Sequence, residues 1–310
     1  MATRRRSARR VIFLTGPTAI GKTAIALRLA EKLDGEIISC DSMQVYKGMP
    51  ILSQAPSGEA LKKARHHLIG FVPPEREFNV SIFREEASRK IRDVLGRKKT
   101  PLVVGGSGLY VKALIDGLFP SPERDASFRA RMQRYVARNG SPALHIRLTK
   151  IDPETASRIH PNDSRRVIRA LEIYNSTKKT MSELKTMTRG LKDEFDIVIF
   201  GLTLPREELY KRINTRVDEM IGAGLFGEVR RLMKVSLSRT ARQALGFNEI
   251  SGYLKGELTL DEAVELLKKN TRNFAKRQIA WFRADKRIVW LDIMNKKGDE
   301  VADRIWKRLS

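Results

Sequence analysis

The chain has 310 residues, 41% of them apolar, so it is long enough to bury a core and too apolar to stay unfolded. Its 60 Lys and Arg against 36 Asp and Glu leave a net charge of +24, which favours a polyanionic partner, nucleic acid ahead of an anionic membrane. A single cysteine, Cys40, excludes an intrachain disulfide and a cysteine-based zinc site and fits a reducing, cytoplasmic setting, and no apolar run is long enough to span a bilayer.

The basic start, MATRRRSARR, leads into no signal-peptide apolar run and reads as a solvated tail over 1–10, placed to brush RNA. VIFLT (11–15) reads as a first core strand that ends in a glycine loop. KTAIALRLAEKL (22–33) has apolar residues at helical spacing and closes at Asp34-Gly35, and EIISC (36–40) is a second strand. SIFREEASRKIRDVLGR (81–97) predicts an amphipathic helix with Ser81 as its N-cap, followed by a buried strand in PLVVGG (101–106). Strand–helix alternation of this kind predicts a parallel α/β sheet.

From about 120 the texture changes. SPERDASFRARMQRYVARNG offers Ser121 and Pro122 to open a helix and Gly140 to end it, and DPETASRI and DSRRVIRALEIYN (163–175) also read as helices. The stretch 121–190 is arginine-rich, without a convincing strand, and reads as an inserted helical domain. DIVIFGLTL (196–204) returns as a core strand, helical basic segments run on to about 287, and KRIVWLD (286–292) is a final strand. The organisation expected is therefore a core over 11–120 and 191–310, interrupted by the insertion.

GPTAIGKT (16–23) matches G-x-x-x-x-G-K-[ST] in full, after a strand and before a helix. Gly16 and Gly21, with Pro17 between them shaping the turn, let the backbone curl so that N–H groups of Thr18-Ala19-Ile20 and their neighbours converge on an anion, Lys22 adds a point charge, and the helix N-terminus adds its dipole. Thr23 suits a magnesium ion or a phosphate oxygen. The fold class expected is α/β, a P-loop NTPase-like parallel-sheet core with an inserted all-helical domain. The motif selects a di- or triphosphate and specifies no nucleotide.

Asp41 follows the second strand directly, where strand carboxyl ends border the ligand crevice of an α/β sheet. A kinase would use an acid here for magnesium or to orient a hydroxyl, a transferase alkylating an amine would use it as a general base, and a turn would use it as a cap with Ser42. Gln44 beside it offers a donor and an acceptor suited to the edge of a base. The four histidines, His66, His67, His145 and His160, show no metal-ligand spacing and read as structural or RNA-adjacent.

From about 11 to 292 the sequence resembles the bacterial tRNA dimethylallyltransferases, also called tRNA isopentenyltransferases. The resemblance rests on separate stretches in order: GPTAIGKT, DSMQVYKGM (41–49), HHLIGFVPP (66–74), VVGGSGLYVKALIDG (103–117), RIHPNDSRRVIRALEIY (158–174), RVDEMIGAGLFGEVRRL (216–232), QALGFNEISGYLKGE (243–257) and RNFAKRQIAWFR (272–283). It implies transfer of a dimethylallyl group from dimethylallyl diphosphate to N6 of the adenosine 3′-adjacent to the anticodon, with release of pyrophosphate. The implied cofactor is Mg²⁺ and the implied partner a tRNA anticodon stem-loop, met by a monomer away from any membrane.

The same resemblance assigns Asp41 as proton acceptor and Thr23 and Arg216 to the diphosphate, with Thr23 on the metal. Ser107 takes a place where the family commonly has Thr, and counts among the catalytic residues. The tRNA contacts it implies are Asp41, Ser42, Met43, Gln44, Ser107, Arg129, Arg165, Arg166, Arg169, Arg242, Lys276, Arg277, Gln278, Trp281 and Arg283, with Trp281 and Phe282 suited to stacking or to a core. Two stretches depart from the family pattern: PILSQAP (50–56) stands where D-I-G-T-A-K-P is usual, and Phe247-Asn248 where Tyr and a cation are common. Three competitors remain on the residues alone: a P-loop kinase, an adenylate isopentenyltransferase acting on free AMP, ADP or ATP, and an RNA-binding protein with a vestigial loop.

Overall fold

The strand expected at VIFLT is β1, Arg10–Thr15, and its residues explain the architecture. Val11 and Phe13 enter one hydrophobic cluster while Ile12 and Leu14 enter another, and all four are at most 1% exposed. A strand covered on both faces has no reason to alternate polar residues, so it reads as a continuous apolar run. The computed structural model describes residues 9–119 and 122–309; the arginine-rich tail over 1–8 and Ser121 lie outside them.

In chain order the first unit contains α1 (Lys22–Lys32), β2 (Gly35–Ser39), α2 (Gly58–Lys63), β3 (His66–His67), α3 (Val80–Gly96), β4 (Thr100–Gly105) and α4 (Gly108–Asp116). Then come α5 (Ala126–Asn139), α6 (Ser141–Ile151), α7 (Pro153–Ala156), α8 (Ser164–Thr177) and α9 (Met181–Thr186), with no strand among the described residues there. The chain returns through β5 (Asp196–Thr203), α10 (Arg206–Gly222), α11 (Leu225–Leu232), α12 (Phe247–Leu254), α13 (Leu260–Arg283), β6 (Ile288–Asp292) and α14 (Gly298–Leu309). The six strands pair in parallel in the order β3-β2-β4-β1-β5-β6. Thr15 lies beside Gly105 and Ser39 beside Val104, so the loops leaving β1, β4 and β2 open side by side at one edge.

Contacts divide the chain into one compact unit of residues up to Ile115 together with Leu191 onward, and a second of Asp116–Gly190. The second has its own core of Phe128, Met132, Leu144, Leu148, Val167 and Leu171. Inside it the fully buried Glu172 carboxylate accepts from the Asp125 amide at 2.8 Å and from Arg129 Nε and Nη2 at 2.7 Å each, and pairs also with Arg169. Its two ends meet at a neck: a Cβ on Gly117 (φ 87) would stand 2.2 Å from the Arg189 carbonyl oxygen, so only glycine fits there.

Several boundaries differ from those expected. The N-cap of α3 is Asn79, not Ser81; its side-chain oxygen accepts from the Ser81 and Ile82 amides at 2.9 and 3.1 Å, and Ser81 is already helical. Helix α5 is opened by Asp125, whose carboxylate accepts from the Phe128 amide, so Pro122 precedes the helix without starting it. Gly140 ends α5 as read. Strand β3 carried no apolar run to betray it, and α14, unforeseen, covers α1 by burying Val301, Ala302 and Ile305 with Ile25 and Leu29.

At the β2 edge, Glu36 is almost wholly buried and bound by Arg97 and by the His67 ring, whose Nε2 lies 2.7 Å from Oε2. The Arg97 hydrogen bond, opposed by burial, holds the carboxyl down to about 2. Because the folded value lies below that of an ordinary glutamate, the stabilisation is complete above the ordinary value and is lost as pH falls towards about 2. Glu36→Gln should cost about 3 kcal/mol at neutral pH. It should also flatten the acid limb of the unfolding midpoint against pH, measured by circular dichroism.

Candidate active site

The phosphate loop starts where β1 stops and feeds α1, so the first turn of that helix faces the crevice. Thr18, Ala19, Ile20, Gly21, Lys22 and Thr23 line a cavity of about 550 Å³. Gly16 and Pro17 are buried beneath it, and their carbonyls accept from Lys22 Nζ at 3.0 and 2.7 Å. Lys22 thus lies back across its own loop. Burial pulls its ammonium down to about 8; the charge of Asp41 opposes that fall and the charge of Arg216 adds to it.

Asp41 stands two residues beyond β2, after Cys40, and lines the same cavity. Its Oδ1 accepts from the Met43 amide at 2.8 Å and the Gln44 amide at 3.4 Å. Burial nevertheless pushes the carboxyl above its ordinary value, against those amides and against Lys22. The amides realise the cap reading by orienting the side chain, and burial raises its proton affinity, the property a base in this position would need. Arg216 reaches the cavity from α10, and burial lowers its guanidinium.

Thr23 sits exposed on the first turn of α1, among the cavity-lining residues. No group of three His, Cys, Asp or Glu that could enclose a metal occurs among the described residues. A hydroxyl at Thr23, with phosphate oxygens and water for the rest, is a donor set that suits magnesium, which rarely takes an all-protein cage.

Ser42, Met43 and Gln44 line the cavity beside Asp41. Ser107 is drawn to this loop: its Oγ accepts from the Ser42 amide at 3.3 Å. Both ends of the Gln44 amide are engaged within the protein, Oε1 by the Ser39 hydroxyl at 2.8 Å and Nε2 by the Gln54 carbonyl at 3.2 Å.

Helix α13 packs on the glycines after β4. A Cβ on Gly106 would lie 2.3 Å from Gln278 Nε2, and one on Gly108 would lie 2.2 Å from Trp281 Cδ1. Gln278 is 6% exposed; its Oε1 accepts from the Thr18 amide at 2.8 Å and its Nε2 donates to the Gly106 carbonyl at 3.0 Å. It is a staple between two loops and also lines the cavity. Phe282 is 2% exposed and belongs to the core, so of the two aromatic residues only Trp281, 41% exposed, keeps a face for stacking. Arg277 lines the cavity, while Arg242, Lys276 and Arg283 are exposed.

In the second unit, Arg165 and Arg166 are exposed on the first turn of α8, with Arg166 3.2 Å from Asp163. Arg129 and Arg169 are half-buried and serve Glu172, a structural duty the sequence alone did not suggest. The histidines hold backbone and acid: His66 Nδ1 lies 2.8 Å from the Ala64 carbonyl, His67 meets Glu36, and His145 Nε2 meets the Ala156 and Ile159 carbonyls. His160 Nδ1 accepts from the Asn162 amide at 3.2 Å.

Sequence reasoning missed Gln54, which touches the phosphate loop, and Glu228, whose buried carboxylate holds the Ile51 and Leu52 amides at 3.0 and 2.8 Å. The signal for the first was the departure at PILSQAP. For the second it was an acid on the apolar face of α11.

The family model described as IPP transferase matches residues 44–285. The tRNA dimethylallyltransferase of Carboxydothermus hydrogenoformans is 44% identical over 298 residues, covering 96% of each chain. That of Pelotomaculum thermopropionicum is 46% identical over 289 residues, covering 92% of this chain and 91% of the other. Among solved structures, the full-length tRNA isopentenylpyrophosphate transferase from Bacillus halodurans superposes with a TM-score of 0.70 at 39% identity, covering 97% of both chains. A eukaryotic dimethylallyltransferase acting on tRNA gives a TM-score of 0.80 at 29% identity, over 97% of this chain and 78% of the other.

Because Lys22 is held near 8, a bound dianion should favour its protonated form. Pyrophosphate affinity should fall as pH rises through about 8 as the ammonium is lost, and that limb should be absent in Lys22→Met, as read by isothermal titration calorimetry.

Proposed function

We infer the function from a plain premise: this chain belongs to the IPP transferase family. It transfers a dimethylallyl group from dimethylallyl diphosphate to N6 of the adenosine 3′-adjacent to the anticodon in tRNA, releasing pyrophosphate, as a cytoplasmic monomer. The observation that carries this reading is one cavity holding both a phosphate loop and a half-buried carboxylate of raised proton affinity, Asp41.

The exocyclic amine of adenine is a weak nucleophile, because its lone pair is shared with the ring. It needs an electrophile close to a carbocation, and allylic ionisation supplies one. In that step the C1–O bond breaks and the electron pair leaves with pyrophosphate. Lys22, Arg216 and the first turn of α1 line the cavity, and a diphosphate bound there would draw on their attraction more in the transition state than in the ground state. Thr23 would hold magnesium, which would supply further charge neutralisation at the departing diphosphate. The N6–C1 bond then forms, and the N6 proton passes to the Asp41 carboxylate. The two backbone amides on Oδ1 keep that carboxylate aimed while it works.

For N6 to reach the cavity, the base must leave the anticodon stack, which costs a few kcal/mol that backbone contacts offset. The exposed cations Arg242, Lys276 and Arg283, Trp281 with its open face, and Arg165 and Arg166 in the second unit are the candidates for those contacts.

Incubation with radiolabelled dimethylallyl diphosphate, Mg²⁺ and either unmodified tRNA or free AMP should label the tRNA alone. Label in AMP would overturn the reading in favour of an adenylate isopentenyltransferase. Asp41→Ala should keep tRNA affinity while kcat falls by about 10²–10⁴. Arg165→Ala with Arg166→Ala should weaken tRNA binding and reduce the slope of log K against log salt by about 1–2 units.

A further inference from the structure

The turn over 50–56 forms part of the cavity wall through Leu52, Ser53, Gln54 and Pro56, and Gln54 is the one of these whose side chain meets the phosphate loop. Gln54 adopts the left-handed conformation (φ 53), which side-chain-bearing residues avoid. Its amide donates to the Ile51 carbonyl at 3.0 Å and its carbonyl accepts from Gln44 Nε2. The turn below it is fixed by the buried Glu228 carboxylate on the Ile51 and Leu52 amides.

So oriented, the Gln54 side chain bridges two further elements. Oε1 accepts from the Thr18 hydroxyl of the phosphate loop at 3.1 Å. Nε2 lies 3.6 Å from the Met220 sulfur, one turn beyond Arg216 on α10. Gln54 therefore touches the loop that carries Lys22, the segment that carries Asp41, and the helix that carries Arg216. These are three elements distant in sequence whose charged groups must converge on one diphosphate.

We propose that Gln54 is a positioning residue that fixes the phosphate loop, the Asp41 segment and the Arg216 helix at the separation diphosphate departure requires. It touches no reacting atom and acts through Thr18, Gln44 and Met220. A looser clasp leaves every cation present and lets them share the leaving group less well, so the loss appears in diphosphate affinity and in turnover and not in tRNA binding.

The test separates this from a merely structural role because glycine suits the backbone of residue 54 better than glutamine does. In the full chain, Gln54→Gly should keep or raise the thermal midpoint. It should nevertheless weaken inorganic pyrophosphate binding about tenfold, by calorimetry, as the loss of one well-placed hydrogen bond predicts. Prenyl transfer should lose at least as much in kcat, with KM for tRNA unchanged. Gln54→Asn, which tolerates the left-handed backbone and is one methylene too short for Thr18, should behave as the glycine variant. Combining either with Thr18→Val should add little, since both remove the same bond. Wild-type pyrophosphate affinity in Gln54→Gly and Gln54→Asn, or full additivity with Thr18→Val, would overturn the proposal. The turnover arm rests on the prenyl-transfer reading and the pyrophosphate arm does not: a wild-type protein that binds pyrophosphate but labels no tRNA removes that reading alone.

Discussion

Lys22 is held half out of water with the Gly16 and Pro17 carbonyls for partners, and the site is organised around that under-solvated cation. A second cation, Arg216, is depressed by burial in the same cavity, and the acid that faces Lys22 there, Asp41, is itself under-solvated. With Arg277 also in the lining, three cations against the one acid leave a net positive field in the crevice. A departing diphosphate relieves it. The cost of keeping such charges apart from water is borne by the sheet, whose strands β1, β4 and β2 are packed on both faces and keep their carboxyl-end loops in register.

Helix α13 shows how one stretch divides its labour. In KRQIAWFR, Gln278 and Phe282 point inward, the first joining Thr18 to Gly106 and the second filling the core. Lys276, Arg283 and Trp281 face outward, and Arg277 reaches the cavity. Rigidity of the phosphate loop and the exposed charge suited to a polyanion are thus properties of the same helix. The small residues at 106 and 108 are what allow it to approach.

The sheet was legible wherever burial on both faces forced a continuous apolar run, as at VIFLT, DIVIFGLTL and PLVVGG. It was illegible at β3, two histidines long, where pairing with Ile37 and Ile38 and the tie to Glu36 make a strand that no periodicity marks. The phosphate loop was legible because its spacing is dictated by the chemistry of an anion at a helix terminus, and the place of Asp41 because strand ends border the crevice of a parallel sheet. The duties of Gln278, Arg129 and Arg169 were not, because a polar side chain looks the same in sequence whether it meets RNA or a buried Glu172. Gln54 was visible only as a departure from pattern, and its meaning required the geometry of Thr18 and Met220.

The neck at Gly117 and Arg189 bears on ancestry and tolerance. A segment whose two ends touch is, for the rest of the polymer, a loop of almost no span. Its closure entropy grows only logarithmically, about 0.6 kcal/mol per doubling of length, so the sheet would fold nearly as readily around a short turn as around a helical module. Lengthening, trimming or exchanging that module is therefore cheap for the host, and natural variation in this protein's architecture should concentrate there.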